Sequence, residues 1–243
     1  MMIDKIKNKI VAIISKLENK AELNYNYSQD QMAYNQLLKM FDNNIFIPIT
    51  NWSISPKEVI HICNDIVINN RTNIIEFGSG FSTICIAQLL KINNIKANFI
   101  SIEDNSDWGA ELTRILQNLK LEAYVKIVIS SIKEVPRKYA KETQKIWYDT
   151  AILEEVFKNI NTVDLVIVDG PFGDITPFAR YSAVPFLKEK LAVNYTIFLD
   201  DSYRIEEKQI VEDWHLTLAG EVKSHKRYTC LSNEFLFDVS PYV

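Results

Sequence analysis

Cysteine is scarce in this chain of 243 residues: Cys63, Cys85 and Cys230 stand far apart, with no C-x-x-C pair. An odd, scattered set argues against a disulfide framework and against a thiolate zinc site, and fits a reducing compartment. Long apolar runs are also missing. The longest near the N-terminus is Ile10 to Ile14, too short for a signal-peptide core, and no stretch approaches a membrane span. The expectation is a cytoplasmic protein. There is no excess of positive charge, since 27 Lys and Arg face 31 Asp and Glu for a net charge of -4. A broad nucleic-acid footprint needs a basic surface, so nucleic acid is not the expected partner, although a local basic patch is allowed. Glycine is sparse too, at six residues. No repeat, low-complexity tract or Pro/Ser-rich linker is present. What remains is 47% hydrophobic and 24% charged, enough apolar surface to fold and a mix that rules out a disordered chain.

The chain divides by pattern. In residues 1–23, Ile3, Ile6, Ile10, Ile13, Ile14 and Leu17 recur at helical spacing with lysines opposite. Such a face suits a membrane surface, an oligomerisation arm or the helix's own domain, and the last is expected. A homo-oligomer stays open. A second helix is expected from the capping box Ser28-Gln-Asp-Gln31 to about Phe41, and a third from Ser55-Pro-Lys-Glu58 to about Ile68. Beyond residue 70, short apolar strands alternate with helices. The strands are Ile74–Phe77, Asn98–Ile102, Tyr124–Ile129, Asp164–Val168 and Tyr195–Leu199. The helices are Ser82–Lys91, Asp107–Leu119, Thr143–Asn159, Pro177–Lys190 and Glu206–Leu218. Two final strands, Glu221–Cys230 and Glu234–Val239, are expected around a turn at Leu231-Ser-Asn233, so at least one runs antiparallel. This predicts an α/β fold: a doubly wound, mostly parallel seven-stranded sheet over 71–243 under an N-terminal helical cap over 1–70.

Two of the six glycines sit together in Glu76-Phe-Gly-Ser-Gly-Phe-Ser-Thr83, between a strand and a helix. Gly78 and Gly80 leave room for a tight turn and for a ligand to approach the backbone. The helix start offers N–H groups to an anion, and Ser82 and Thr83 add hydroxyls. A dinucleotide fingerprint would carry a third Gly or an Ala at Thr83. The carboxylate of Glu76 would repel a pyrophosphate and attract an ammonium. One βαβ unit later, Glu103 stands where it can accept both hydroxyls of a ribose. A nucleoside joined to an amino acid is S-adenosylmethionine.

With these residues in hand, the chain resembles the class I S-adenosylmethionine-dependent methyltransferases. Ile74-Ile-Glu-Phe-Gly-Ser-Gly-Phe-Ser-Thr83 is similar to their first motif, and Ile100-Ser-Ile-Glu-Asp104 with Trp108 to their second. Val163-Asp-Leu-Val-Ile-Val-Asp-Gly-Pro171 and Tyr195-Thr-Ile-Phe-Leu-Asp-Asp201 are similar to the fourth- and fifth-strand motifs. V-D-G-P, Arg180-Tyr181 and L-D-D narrow the likeness to a bacterial branch, some members of which act on sugars or surface glycans. The chain departs from the family at Ala192-Val-Asn194, which lacks the usual glycine-rich turn. The resemblance implies that Glu76 holds the methionine ammonium, directly or through water. It implies that Gly78, Ser79 and Gly80 line the methionine and ribose, and that Glu103 binds the ribose hydroxyls. Asp104 would border the adenine, Ser131 and Ile132 would form the far side of its slot, and Asp169 would sit beside the transferring methyl group.

Transfer of that methyl to an alcohol needs the hydroxyl's proton removed, by a positioned base or with the help of a metal that lowers its pKa. Asp169 and Asp201 are the base candidates, with Asp174 and Asp200 on loops at the same sheet edge; the competing reading has Asp169 ordering the Gly-Pro turn and Asp200 capping the next helix. The carboxylates can also hold Mg2+, a hard cation seeking oxygen, although no His is nearby. Arg180 is placed to meet the acceptor, and Trp52, Trp147 and Tyr148 either wall it or pack in the core or at its rim. His61 and His215 read as packing residues, and His225 as part of the solvated cluster Lys223-Ser-His-Lys-Arg227. The expected activity is O-methylation of a small molecule or glycan hydroxyl. The alternatives are a nicotinamide-dependent oxidoreductase and a non-catalytic nucleoside-binding module. A nucleic-acid methyltransferase is disfavoured by the charge and by the absence of an N/D-P-P-Y/F motif.

Overall fold

In the computed structural model, which describes residues 2–41, 45–218, 220–233 and 237–241, the apolar segments after residue 70 pair as parallel strands. The side chains of residues 2–10, 12, 19 and 22, Ile3, Ile6 and Ile10 among them, lie outside that description. The helices are α1 (Met2–Leu38), α2 (Pro56–Ile68), α3 (Phe81–Ile92), α4 (Ser106–Asn118), α5 (Thr150–Phe157), α6 (Ala183–Leu187) and α7 (Ile205–Thr217). The strands are β1 (Asn73–Phe77), β2 (Asn98–Glu103), β3 (Lys126–Ile129), β4 (Ile132–Glu134), β5 (Ile146–Tyr148), β6 (Val163–Val168), β7 (Leu191–Leu199), β8 (Glu221–Ser224) and β9 (Thr229–Ser232).

Seven strands form one sheet in the order β3-β2-β1-β6-β7-β9-β8, and β4 pairs with β5 in a separate hairpin. All neighbours from β3 to β7 run parallel, and β9 alone is antiparallel to both of its neighbours. This is the expected doubly wound sheet with one reversed strand. Successive residues of β1 feed opposite cores, as the two-residue period of a strand requires. Ile74 packs with α2, α3 and α4 through Ile62, Ile84 and Leu112; Ile75 packs with α5 and α7 through Leu153 and Trp214. Burial on both faces explains why these strands read as unbroken apolar runs. The first core continues without a gap through α2 to Leu37 of α1. A buried ion pair closes this side, with Arg71 Nε 3.0 Å from Asp65 Oδ2 and its Nη2 donating to Thr196 of β7 at 2.8 Å.

Five local expectations give way to tertiary context. The helix expected to begin at Ser28 is part of α1, because no Gly or Pro interrupts 2–38 and continuous helical hydrogen bonding outcompetes an internal cap. Among the described side chains, the first half of α1 is not packed on its own domain: Val11, Ile13, Ile14 and Leu17 are exposed, and the helix meets the core at Ala33, Tyr34 and Leu37. The helix expected over 143–159 starts only at Thr150, under an Asp149 cap, because Ile146-Trp-Tyr148 fits a strand. The helix expected over 177–190 shrinks to α6 flanked by 3-10 turns, since Phe178 takes a left-handed φ of 56°. The last turn lies at 225–228, not at 231–233, because Leu231 is buried opposite Ile197 in the sheet. Residues 234–236 of the expected last strand lie outside the described residues.

β1 has β2 on one side and β6 on the other, so the connections from β1 to β2 and from β6 to β7 run off in opposite directions along the sheet's carboxyl edge. Such a divergence leaves a crevice. A cavity of about 840 Å3 occupies it.

Candidate functional site

The floor of the cavity is the loop Gly78-Ser79-Gly80. Gly78 has φ +93°, and a Cβ there would lie 2.7 Å from the Gly170 amide nitrogen. The β1 and β6 loops are therefore in direct backbone contact: the Asp169 and Gly170 amides both donate to the Phe77 carbonyl, at 2.9 and 2.7 Å. Gly80 differs. Its φ of 178° is ordinary extended backbone, and a Cβ there would meet no atom within 4 Å. The space over Gly80 is cavity, open to a ligand.

Glu76 lies beneath this loop and does not line the cavity. Its carboxylate accepts the hydroxyls of Ser82 and Thr83 at 2.5 Å each and of Ser101 at 2.6 Å. Thr83 Oγ1 also accepts the Gly80 amide at 2.8 Å, so Glu76 braces the loop and the start of α3 through their hydroxyls. Burial pushes its carboxyl up to about 7, against the three hydroxyls that favour ionisation and with nearby Glu103 adding to the rise. The folded chain thus keeps a proton that the unfolded chain releases above the ordinary carboxylate range. Stability from this group is whole at acid pH and is lost as pH rises through about 7. Urea midpoints measured from pH 5 to about 8 are expected to fall with pH in the parent and to fall less in Glu76→Gln. Equal slopes would remove Glu76 from the titration.

Glu103 closes β2 at the cavity wall. Its Oε2 accepts the Ser79 amide at 3.1 Å and its Oε1 the Asn105 amide at 2.9 Å. Each carboxylate oxygen keeps a second lone pair for a ligand hydroxyl. Burial raises the Glu103 carboxyl above its usual range, and the two amides pull it back. Asp104, Asn105 and Trp108 continue the wall, and Trp108 Nε1 donates to the Ser79 carbonyl at 2.8 Å, tying α4 to the glycine loop. Ser82 lines the cavity, whereas Thr83 faces inward, and Ser131 and Ile132 are not among the lining residues.

The opposite wall is acidic and basic at once. Asp169 opens onto the cavity with Asp201 beside it, and Asp200 is buried behind. Burial pushes Asp169 up to about 8; Arg180 pulls it down, and Asp200 and Asp201 push it up. Arg180 Nη2 stands 3.0 Å from Asp169 Oδ1 and 3.4 Å from Asp201 Oδ2, and its Nη1 donates to the Asp200 carbonyl at 2.9 Å. Arg227 takes both oxygens of Asp200 at 3.1 Å, and Arg204 Nη2 sits 2.7 Å from Asp201 Oδ2. Asp201 has a left-handed φ of 56°, a conformation that Asp tolerates and these arginines hold. The oxygens of the three aspartates lie within 4.8 Å of one another, close enough for one cation. The donor set does not fit one, because three guanidinium groups already neutralise these acids.

The remaining candidates scatter. Asp200 does not cap α7, whose N-cap is Arg204; it is held by Arg227. Asp174 is exposed and outside the cavity. Trp147 and Tyr148 are core residues with no exposure, whereas Trp52 lines the cavity and packs on Phe172 with ring centroids 4.9 Å apart. His61 is buried against the Tyr228 hydroxyl at 2.9 Å, and burial lowers it to about 3. His215 is exposed, not packed, and His225 stacks on Tyr228 at 4.4 Å. The sequence reading missed Glu58, Arg204 and Arg227 as site residues. Glu58 does not reach back to its helix cap but is wholly buried, facing Asp200 and Asp169, and burial raises its carboxyl strongly. Arg227 leaves its basic cluster to reach Asp200 and the Ser53 carbonyl.

No protein-family model and no curated protein matches the sequence. Solved structures do match the fold. A putative caffeoyl-CoA O-methyltransferase from Staphylococcus aureus aligns with TM-score 0.56 at 16% identity, over 86% of this chain and 98% of that one. The methyltransferase PaMTH1 from Podospora anserina, solved with SAH bound, aligns with TM-score 0.56 at 12% identity, over 88% and 95%. The O-methyltransferase TomG from Streptomyces achromogenes, in complex with SAM, aligns with TM-score 0.53 at 13% identity, over 84% and 88%. At these identities the likeness is one of fold.

Proposed function

We propose that this chain is an S-adenosylmethionine-dependent O-methyltransferase acting on a hydroxyl of a small molecule or sugar. The observation that carries the reading is Glu103: a carboxylate with unfilled lone pairs faces the same cavity as the open space over Gly80 and the Asp169 carboxyl. That arrangement offers a ribose, an amino-acid tail and a reacting group partners in one cavity, and the solved neighbours that hold SAH or SAM support it. S-adenosylmethionine, when bound, supplies a methyl group on a sulfonium, which makes the displacement itself undemanding.

The protein's work is alignment and proton removal. Glu103 accepts the ribose hydroxyls and keeps the loop amide of Ser79 in place. Gly80 leaves the methionine part room against the backbone. Glu76 braces the loop from below, so any contact it makes with the ammonium runs through the loop. Asp169 takes the acceptor hydroxyl's proton on Oδ, and Arg180 at 3.0 Å stays beside it throughout. Asp201 holds Arg180 and Arg204 at the cavity wall. Trp52 and Phe172 offer an aromatic edge to the acceptor's ring. An oxidoreductase reading has less support, since a pyrophosphate would lie over the acidic Glu76 without the third loop glycine.

Calorimetry decides between them. S-adenosylhomocysteine is expected to bind and NAD(H) is not. Glu103→Ala is expected to weaken S-adenosylhomocysteine by about 10- to 100-fold, the scale of one or two lost hydrogen bonds to a charged group. Unchanged affinity would remove the ribose assignment, and NAD(H) binding alone would replace the function.

A further inference from the structure

Asp169, Asp200 and Asp201 have the spacing of a hard-cation site, with oxygens within 4.8 Å of one another. The interior of that triangle already holds a positive charge. Arg180 is buried, and its Nη2 lies between Asp169 and Asp201 at 3.0 and 3.4 Å. Its Nη1 is anchored on the Asp200 carbonyl, so the fork cannot swing away without breaking a third contact. Arg227 and Arg204 close the outer sides on Asp200 and Asp201.

Glu58 supplies an independent observation. It arrives from α2, is wholly buried, and neither of its oxygens meets a donor. Two carboxyls can touch in a dry interior only if one keeps its proton and donates it. Burial raises the Glu58 carboxyl strongly, and the charges of Asp200 and Asp169 add to the rise, which favours its neutral form. Three guanidinium groups thus already meet the three aspartates, and Glu58 adds a buried carboxyl that meets no donor, a set that leaves a divalent cation no uncompensated negative charge.

We propose that the Arg180 guanidinium takes the seat of a divalent cation between these strand-end carboxylates, so that the site is metal-free and Arg180 is the positioning residue that keeps Asp169 turned toward the cavity. The guanidinium is planar and permanently charged, which suits it to hold two carboxylates at fixed angles. The cation half stands on its own; the positioning of Asp169 for proton removal rests on the methyltransferase reading.

The test is a titration of the purified full chain with Mn2+, followed by the electron paramagnetic resonance signal of the free ion. The parent is expected to leave that signal unchanged up to about 1 mM, the weak end of protein sites for hard divalent cations. Arg180→Ala removes the central charge and leaves the acids, and it is expected to deplete the signal by about one site per chain. Arg180→Lys keeps a positive charge and is expected to behave as the parent does. A merely structural arginine would give no such gain of binding on truncation. Stoichiometric Mn2+ binding by the parent, displaced by Mg2+, would overturn the proposal. So would a folded Arg180→Ala that binds no Mn2+. If that variant does not fold, the parent and Arg180→Lys titrations decide. S-adenosylhomocysteine binding, measured by calorimetry on the same samples, separates the two readings: its absence beside a silent Mn2+ titration would sink the methyltransferase reading and leave the cation result standing.

Discussion

Asp169→Asn is expected to cut turnover by two to four powers of ten, about the worth of one positioned general base, while S-adenosylhomocysteine affinity stays within about a few-fold. The substitution keeps the shape and the contact with Arg180 but removes the proton acceptor at the cavity wall. The pH profile gives the sharper reading. Burial pushes Asp169 up to about 8, with Asp200 and Asp201 adding to the rise and Arg180 opposing it. Only the ionised form can take a proton, so turnover is expected to rise with pH and level off above about 8. In Asp169→Asn the residual rate should lose that inflection. Wild-type turnover in the variant, or a parent rate that is flat across the range, would exclude Asp169 as the base.

Gly78→Val is expected to abolish cofactor binding and to lower the melting temperature together. Holding φ near +93° costs a branched residue about 1–3 kcal/mol, and its Cβ would press on the Gly170 nitrogen at 2.7 Å. The loops of β1 and β6 would have to separate, breaking the amide contacts to Phe77. Gly80→Ala is the counterpart. With extended backbone and no neighbour within 4 Å, it should leave stability within about 0.5 kcal/mol and weaken S-adenosylhomocysteine instead. A Gly78→Val protein that melts like the parent and binds ligand would contradict the close approach of the two loops. From the sequence, both glycines read as room for a ligand. Both line the cavity; Gly80 has open space beside it, whereas Gly78 is in addition a close contact between two loops.

The same division runs through the fold. The alternation of strands and helices was legible because an apolar run buried on both faces looks the same wherever its partners come from. The Ser55 cap was legible because its partner is three residues away. Errors cluster where distant contacts outweigh local ones. Ser28 looks like a cap but lies within a longer helix. Trp147 and Tyr148 suit an acceptor wall or a core equally well from the sequence, and the fold puts them in the core beside Phe77. The exposed apolar face of α1, through Val11, Ile13, Ile14 and Leu17, has the periodicity of a packed helix and no packing partner among the described residues.

By itself, then, the amino-acid order determined the doubly wound sheet, the glycine loop after its first strand and the acid that ends its second. Each is written in periodicity or in neighbours a few residues apart, and short-range sterics and hydrogen bonding act at that scale. The tertiary structure alone decided the charge state of the opposite wall. Glu58, Arg180 and Arg227 come from separate stretches of chain, and nothing local marks them as neighbours of Asp169, Asp200 and Asp201; Arg204 alone is local, three residues after Asp201. Charges interact through space at distances of a few ångströms. Whether those acids hold a metal, a proton or a guanidinium is therefore set by which side chains the fold carries to the sheet's edge.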